Sequence, residues 1–493
     1  MKLSIDGKYV QAERGTRLSA YLSIDKPCGG KAKCGKCKVC AKGNLSVMTE
    51  RERSFLTEEE IKNGIRLACM TEALGDAEIF TIEKGDERIA TNGVEARYVL
   101  KPTIKRYGLA VDIGTTTLVV GLYSAKGDLL GKTGALNPQI QFGADVISRI
   151  ELSLNGQSEE LQRVIVEEIE RLSVILCEKA GIDVKEIDGA VVTGNTAMLY
   201  LFTKTPVDGL ARMPFSLSRP FGETITAKDL CENGFLPNMK IYLPPCISPF
   251  IGGDTVCALL ATSFWEREDR FMMVDIGTNG ETVFYDKGDM YACSTAAGPA
   301  FEGVGISCGM RGEDGAIEHI NNENGLPRLQ VIGGKKAKGI CGSGVIDAVA
   351  YLLETGQLDE TGYMEEDVTL SDGVVFTCKD VRSVQLAKSA IYAGLTTLLK
   401  TVGVGLDEIN TFMIAGGFGG YMDINNAGKI RLIPKTWVPC TRLLGNAAYN
   451  GAVALLLDED MRKRCTEIVN RVKVIDLSAS NIFMEEYMEG MTF

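Results

Sequence analysis

Along the first eighty residues, apolar and polar positions fall into short units. Residues 2–5 (KLSI) alternate, Asp6-Gly7 is a hairpin turn signal, and KYVQAE follows as a second strand. LSAYLS (18–23) reads as a short apolar helix and KVCAKGNLSV as strand, turn and strand. Thr57 is an N-cap with Glu60 three residues on, opening a helix that Gly64 ends; IRLACM then reads as a strand. Two strands, a helix, a glycine-rich loop and further strands predict a small sheet crossed by a helix, the order of a β-grasp domain.

Farther along, one pattern occurs twice. Residues 107–120 read YGLAVDIGTTTLVV and residues 271–284 read FMMVDIGTNGETVF. Each has an apolar strand, Asp-Ile-Gly-Thr, small polar residues and another apolar strand, with VDIGT beginning at Val111 and at Val274. Internal duplication at this distance predicts two like-folded α/β lobes. In the first copy the strand ends in Asp112, turns at Gly114 and presents Thr115, Thr116 and Thr117, whose N–H groups and hydroxyls suit phosphate oxygens. Asp112 suits Mg2+ held through water. The second copy offers Asp275, Gly277, Thr278, Asn279 and Gly280. Two such hairpins can grip a nucleotide's phosphates from both sides, and no GxxxxGK[ST] loop is present.

FMIAGGFGGYM (412–422) places glycines after an apolar strand, where a nucleoside could lie against the backbone; a tight turn is the alternative. LQVIGGKKAKGICGSGVID (329–347) is a rival glycine segment, and CSTAAGPAFEGVGISCGM (293–310) is a small-residue loop with one acid, Glu302. SEELQRVIVEEIERLSVIL (158–176) is an amphipathic packing helix with Leu161, Ile165, Ile169 and Leu172 on one face.

At 493 residues the chain is too long for one core. It has no run of eighteen apolar residues and no signal-peptide pattern, so a cytoplasmic protein with no membrane span is expected. A net charge of −12 argues against non-specific nucleic-acid binding, and a single histidine, His319, excludes multi-histidine metal sites.

The remaining chemistry lies in KPCGGKAKCGKCKVC (26–40). The spacing Cys28-x5-Cys34-x2-Cys37-x31-Cys69 is one residue longer in its first gap than the plant-type [2Fe–2S] pattern. Small residues there let N–H groups approach cluster sulfurs. Zinc is the alternative, although four-cysteine zinc sites usually carry two CxxC knuckles. Cys40, inside a predicted strand, is set aside as a bystander, with replacement of another ligand as the alternative. Lys31, Lys33, Lys36 and Lys38 form either a solvated face or a docking surface for an acidic partner.

Taken together, the two Asp hairpins and the later glycine loop resemble the superfamily of acetate and sugar kinases, heat-shock chaperone ATPases and actin (ASKHA). More narrowly, CGGKAKCGKCKV, GLAVDIGTTT, NPQIQFGADVISRI, GNTAM, PFIGGDTV, STAAGPAFEGVGI, AGGFGGYMD and LLGNAAYNGA resemble the reductive activators of corrinoid-dependent enzymes (RACE proteins), over residues 1–80 and about 107–493. The x5 gap is what that family shows. The resemblance implies a β-grasp [2Fe–2S] ferredoxin-like domain (1–81), a linker (82–106) and a two-lobed ribonuclease H-like ATPase (107–270 and 271–493).

The implied activity is ATP-dependent transfer of one electron to the Co(II) corrinoid of a partner corrinoid protein or its methyltransferase, restoring Co(I). Plant-type clusters sit near about −400 mV, and the resemblance implies a lower Co(II)/Co(I) couple, so the transfer runs uphill. The implied ligands are Cys28, Cys34, Cys37 and Cys69 for the cluster, Asp112 and Asp275 for Mg2+ and water, and Gly416, Gly417 and Gly419 for adenosine. Glu281 and Glu302 are the candidates for a general base. An upstream electron donor is required, and a homodimer is one arrangement. Longer members carry an extra middle domain; only residues 82–106 separate the domains here, so none is expected, and the charged linker reads as flexible. Rival readings are an activator of a non-corrinoid metalloenzyme, a redox-sensing ATP-binding scaffold and, weakest, a sugar kinase.

Overall fold

The computed structural model describes residues 1–22, 24, 26, 28, 30–33, 35–81, 97–230, 236, 238–417 and 421–493. The chain forms two compact units, Met1–Lys84 with Leu136–Glu168, and Gly85–Ala135 with Ile169–Phe493.

In the first unit, β1 (Lys2–Ile5) and β2 (Lys8–Gln11) form the hairpin that Asp6-Gly7 predicts; both turn residues have positive φ, 46° and 80°. β3 (Lys38–Leu45), β4 (Ile65–Leu67) and β5 (Ala73–Thr81) complete a mixed sheet of order β2-β1-β5-β3-β4, with β1 and β5 parallel. One face buries Leu3, Val39, Ala41, Leu67 and Ile79. The helix Glu58–Lys62 shows the predicted exchange at its start: Thr57 N–H donates to Glu60 Oε2 (2.9 Å) and Glu60 N–H to Thr57 Oγ1 (3.2 Å).

Three local expectations change. LSAYLS makes only one 3-10 turn, Leu18–Ala20, too short to propagate, while Leu18 and Leu22 drop into the core. KVCAKGNLSV does not fold back: β3 runs on beside β5 with an irregularity between Gly43 and Leu45. The strand expected over IRLACM, β4, stops at Leu67, and Ala68–Thr71 turns, with Met70 and Thr71 N–H donating to Leu67 O.

In the second unit the repeated text builds repeated sheets. β6 (Tyr107–Ile113) and β7 (Thr117–Ser124) are antiparallel, β8 (Leu129–Leu136) lies beside β7, and β9 (Ile187–Gly194) is parallel to β6. β10 (Glu223–Thr226) and β11 (Lys240–Leu243) finish this sheet, β11 parallel to β9. The second copy repeats the plan. β12 (Phe271–Ile276), β13 (Gly280–Asp286) and β14 (Asp289–Thr295) are antiparallel neighbours. A small sheet of β15 (Ala316–Glu323), β16 (Leu326–Val331) and β17 (Gly339–Ile340), then a hairpin of β18 (Val368–Ser371) and β19 (Val374–Phe376), are inserted next. β20 (Thr411–Ala415) is parallel to β12, β21 (Thr441–Gly445) to β20, and β22 (Val472–Val474) to β14.

The helix after β11, Gly253–Ala261, and the helix after β21, Ala447–Leu457, occupy equivalent places and pack on each other. A Cβ on Gly451 would lie 2.0 Å from Cys257 O, so only glycine permits this crossing. Ser158–Ala180 is the expected helix, with Leu161, Ile165, Ile169 and Leu172 buried. Much of the expected linker (82–96) lies outside the described residues. The rest is not a loose tether: Lys101 and Thr103 N–H each donate at 2.9 Å, to Leu457 O and Leu456 O, and Ile104 is buried. Among the described residues no helix is long and apolar enough to cross a membrane.

Candidate functional site: an acidic cleft between paired hairpins, and a cysteine loop

β6 delivers Asp112 and β12 delivers Asp275, each just before a tight hairpin. Gly114 N–H donates to Thr117 O (2.8 Å) and Gly277 N–H to Asn279 O (2.9 Å). The hairpins flank a cleft of about 270 Å3. Asp112, Gly114, Thr115, Thr116, Thr117, Asp275, Gly277, Thr278, Asn279, Gly416 and Gly417 all line it, and so do Gly342 and Ser343 of the rival glycine segment. Gly419 lies outside the described residues. Gly280 is not among the lining residues: it is buried at the start of β13, where an added Cβ would lie 2.8 Å from Thr295 Oγ1.

Gly416 has φ +102°, and an added Cβ would lie 2.6 Å from Ile276 O and 2.7 Å from Asp275 Oδ1. This glycine therefore seats the Asp275 carboxylate.

Four acids converge electrostatically. Burial pushes Asp112 up to about 7, with Asp254 adding to it while an Asn446 hydrogen bond opposes. Burial, then Asp254 and Asp112, push Asp275 up to about 7. Burial takes Asp254 to about 6 against its bonds from Thr255, and drives Glu281 well above the carboxylate range, with Asp254 and Asp275 contributing. Hard oxygen donors that resist ionisation together are a donor set suited to magnesium. Among the described residues no three Cys, His, Asp or Glu side chains are close enough to ligate one ion directly.

Sequence reasoning assigned no role to Asp254, Asn195 or Asn446. Asn195 caps the helix Thr196–Phe202 and donates to Thr115 Oγ1 (3.1 Å). Asn446 caps Ala447–Leu457 and donates to Asp112 Oδ2 (2.9 Å), from one lobe to the other. The available signal was positional: GGD, GN and GN each stand where a parallel strand passes into a helix. Glu302 accepts from Thr116 Oγ1 (2.8 Å) and Thr278 Oγ1 (3.0 Å). Glu281 accepts from Ser294 Oγ (3.3 Å).

In the first unit, Cys37 and Cys69 are buried side by side. A hydrogen bond from Cys37 draws the Cys69 thiol down to about 6, helped by Ala32 N–H and the Arg17 charge against burial. Lys33 N–H points at Cys28 Sγ (3.5 Å). Cys34 lies outside the described residues. Cys40 alternates away from Val39 and Ala41, with its thiol toward Asn63 O (3.6 Å). The turn carrying Cys69 is held by Glu52, which is fully buried and accepts from Arg66 Nε (2.9 Å), Leu67 N–H (2.9 Å) and Thr71 Oγ1 (3.0 Å). Two of the loop lysines are already paired, Lys31 with Glu151 (3.3 Å) and Lys38 with Glu60 (2.6 Å).

Two like lobes, each contributing an Asp hairpin to a common cleft, define an ASKHA-type domain. Consistent with this, a family model described as "C-terminal domain of RACo the ASKHA domain" matches residues 269–493, and one described as "RACo middle region" matches residues 107–267. The corrinoid activation enzyme RamQ of Eubacterium limosum is 35% identical over 420 residues, 78% of this chain and 70% of that protein. The [Co(II) methylated amine-specific corrinoid protein] reductase of Methanosarcina barkeri is 26% identical over 420 residues, 78% of this chain and 77% of its own. A solved structure of a reductive activator for corrinoid, iron-sulfur protein superposes with a TM-score of 0.72 at 27% identity, covering 100% of this chain and 98% of that one. The chain belongs to this family of corrinoid reductive activators. One expectation falls here: the family's middle region is not missing, because it coincides with the stretch read as the first lobe.

Proposed function

We propose that this chain is an ATP-dependent reductive activase that returns the Co(II) corrinoid of a partner protein to Co(I). The observation that carries the reading is family membership together with an acidic two-hairpin cleft and a separate cysteine loop in one chain. The proposed division is 1–81, 82–106, 107–270 and 271–493. The strand order β2-β1-β5-β3-β4, with its parallel β1/β5 pair, supports a β-grasp, ferredoxin-like first domain.

Cys28, Cys34, Cys37 and Cys69 are the proposed ligands of a [2Fe–2S] cluster, which supplies one electron at a time when bound. The lowered Cys69 thiol and the N–H groups of Ala32 and Lys33 fit that role, since thiolates and aimed amides are what such sulfurs require. In the cleft, Thr115, Thr116, Thr117, Thr278 and Asn279 hold phosphates. Asp112, Asp254 and Asp275 hold Mg2+ through water, and Gly416 and Gly417 border the nucleoside. When bound, MgATP would be held by residues of both hairpins, and a difference in those contacts between two states of the complex would supply the energy for the uphill transfer. The partners required are a corrinoid protein or its methyltransferase, and an upstream electron donor in an anaerobic cytoplasm; a homodimer is compatible but not required.

The test is anaerobic. Reduced protein is mixed with a Co(II) corrinoid protein, and Co(I) absorbance is followed with and without MgATP, beside Asp275→Ala and Cys34→Ala. Co(I) is expected only in the wild type and only with MgATP. No Co(I) with several carriers, despite bound ATP and an intact cluster, refutes the reading.

A further inference from the structure

Glu302 belongs to the short turn Pro299–Glu302 that follows β14. This turn is fixed to its own lobe: Gly298 N–H donates to Thr278 O (2.9 Å), and the Cβ position of Gly303 lies 2.3 Å from Met310 O. From that fixed base the carboxylate reaches two hydroxyls. Oε1 accepts from Thr278 (3.0 Å), on the hairpin of its own lobe, and Oε2 accepts from Thr116 (2.8 Å), on the hairpin of the other. The Cβ position of Gly277 is 3.7 Å from Oε1, an ordinary van der Waals distance that places the carboxylate beside this hairpin. One carboxylate thus joins the two segments read as phosphate grips.

We propose that Glu302 is a phosphate surrogate: its carboxylate latches Thr116 to Thr278 until the terminal phosphate of a nucleoside triphosphate takes both hydroxyls. The inference rests on the reading of this cleft as a nucleotide site. A threonine hydroxyl has one proton to donate, so Thr116 and Thr278 cannot serve the carboxylate and a phosphate oxygen together. Two anions at the same place also repel each other. A triphosphate that reaches both hairpins must therefore displace Glu302. A diphosphate, lacking the terminal group, leaves the latch closed. Glu302 then acts as a positioning residue that makes the lobes respond to the third phosphate rather than to the nucleoside.

The experiment is calorimetric titration of the full chain with MgADP and with a non-hydrolysable MgATP analogue, for wild type, Glu302→Ala and Glu302→Gln, with ATP turnover measured alongside. The expected result for Glu302→Ala is a preference for the ATP analogue over ADP about tenfold greater than in the wild type, the order expected when charge-assisted hydrogen bonds no longer have to be broken. Glu302→Gln, near-isosteric and uncharged, should fall between, and it carries the test if the alanine variant does not fold. An unchanged preference in the variants overturns the latch. Lost turnover with an unchanged preference also overturns it, because that is the signature of a general base. Failure of the wild type to bind either nucleotide removes the nucleotide reading itself, and the latch with it.

Discussion

Replacing Gly416 by alanine probes how the second Asp hairpin is assembled. Two costs are legible. The residue sits at φ +102°, which a side chain adopts at a cost of about 1–2 kcal/mol. Its new methyl would also lie 2.6 Å from Ile276 O, a backbone atom that cannot swing away, and 2.7 Å from Asp275 Oδ1, and overpacking of this kind costs about 1–3 kcal/mol. The expected destabilisation is therefore about 2–5 kcal/mol, which in a domain of 150–250 residues lowers a melting temperature by about 2–4 °C per kcal/mol. Gly373 is the matched control. It has φ +80° with nothing within 4 Å of an added Cβ, so Gly373→Ala incurs the backbone cost alone. Thermal unfolding of the two variants beside wild type isolates the steric cost, and MgATP titration asks whether Asp275 has been displaced. Gly416→Ala should melt lower than Gly373→Ala and bind MgATP more weakly. Equal melting temperatures with wild-type MgATP affinity would refute the assignment of Gly416 as the seat of Asp275.

Glu52→Gln breaks a buried pair with Arg66 and should cost the first unit about 3–5 kcal/mol, read as faster amide exchange at Leu67. Burial raises the Glu52 carboxyl, but the Arg66, Leu67 and Thr71 bonds outweigh it and hold it below the usual range. Its stabilisation is thus present above the unfolded carboxyl pKa, about 4.3, and is lost as pH falls through the folded value; the variant should lack that acid limb. His319 bonds to Asp347 at 2.9 Å, which raises its pKa against partial burial, so its contribution is full below about 6.5 and is lost as pH rises through the folded value. With a single histidine in the chain, the imidazole resonance should titrate with a midpoint above 6.5, and a midpoint at or below it contradicts the pairing. Cys40→Ser should retain iron and sulfide after reconstitution whereas Cys37→Ser and Cys69→Ser should not; iron loss in all three would make Cys40 a ligand.

What could be read in the chain without coordinates was whatever repeated or obeyed local rules. VDIGT at Val111 and Val274 announced two lobes because a strand and its turn are encoded locally. Asp6-Gly7 and the Thr57/Glu60 cap were equally local. What escaped depended on distant chain. Glu52 lies in ERER, four charged residues in a row, yet it is buried because Arg66 and the turn at Leu67 arrive from elsewhere. Asp254 and Asn446 became site residues only when two helices far apart in sequence brought their first turns to the same cleft. Gly280 shows the converse: it ends a polar turn in the sequence, but its neighbour in space is Thr295 on the next strand.

The packing of Gly253–Ala261 on Ala447–Leu457 has a consequence for symmetry. These helices are equivalents, one following β11, parallel to β9, and the other following β21, parallel to β20, and they touch each other at Gly451 and Cys257. Equivalent surfaces in mutual contact are what a twofold axis produces. A true dimer of identical halves would place the same side chain on both sides of that axis. Here the first turn of one helix carries Asp254 and the cap of the other carries Asn446, so one helix brings a carboxyl group to the cleft and the other an amide. With both halves in one chain, one helix can donate to Asp112 through Asn446 while the other presents the carboxyl of Asp254, a division of labour that strict symmetry forbids.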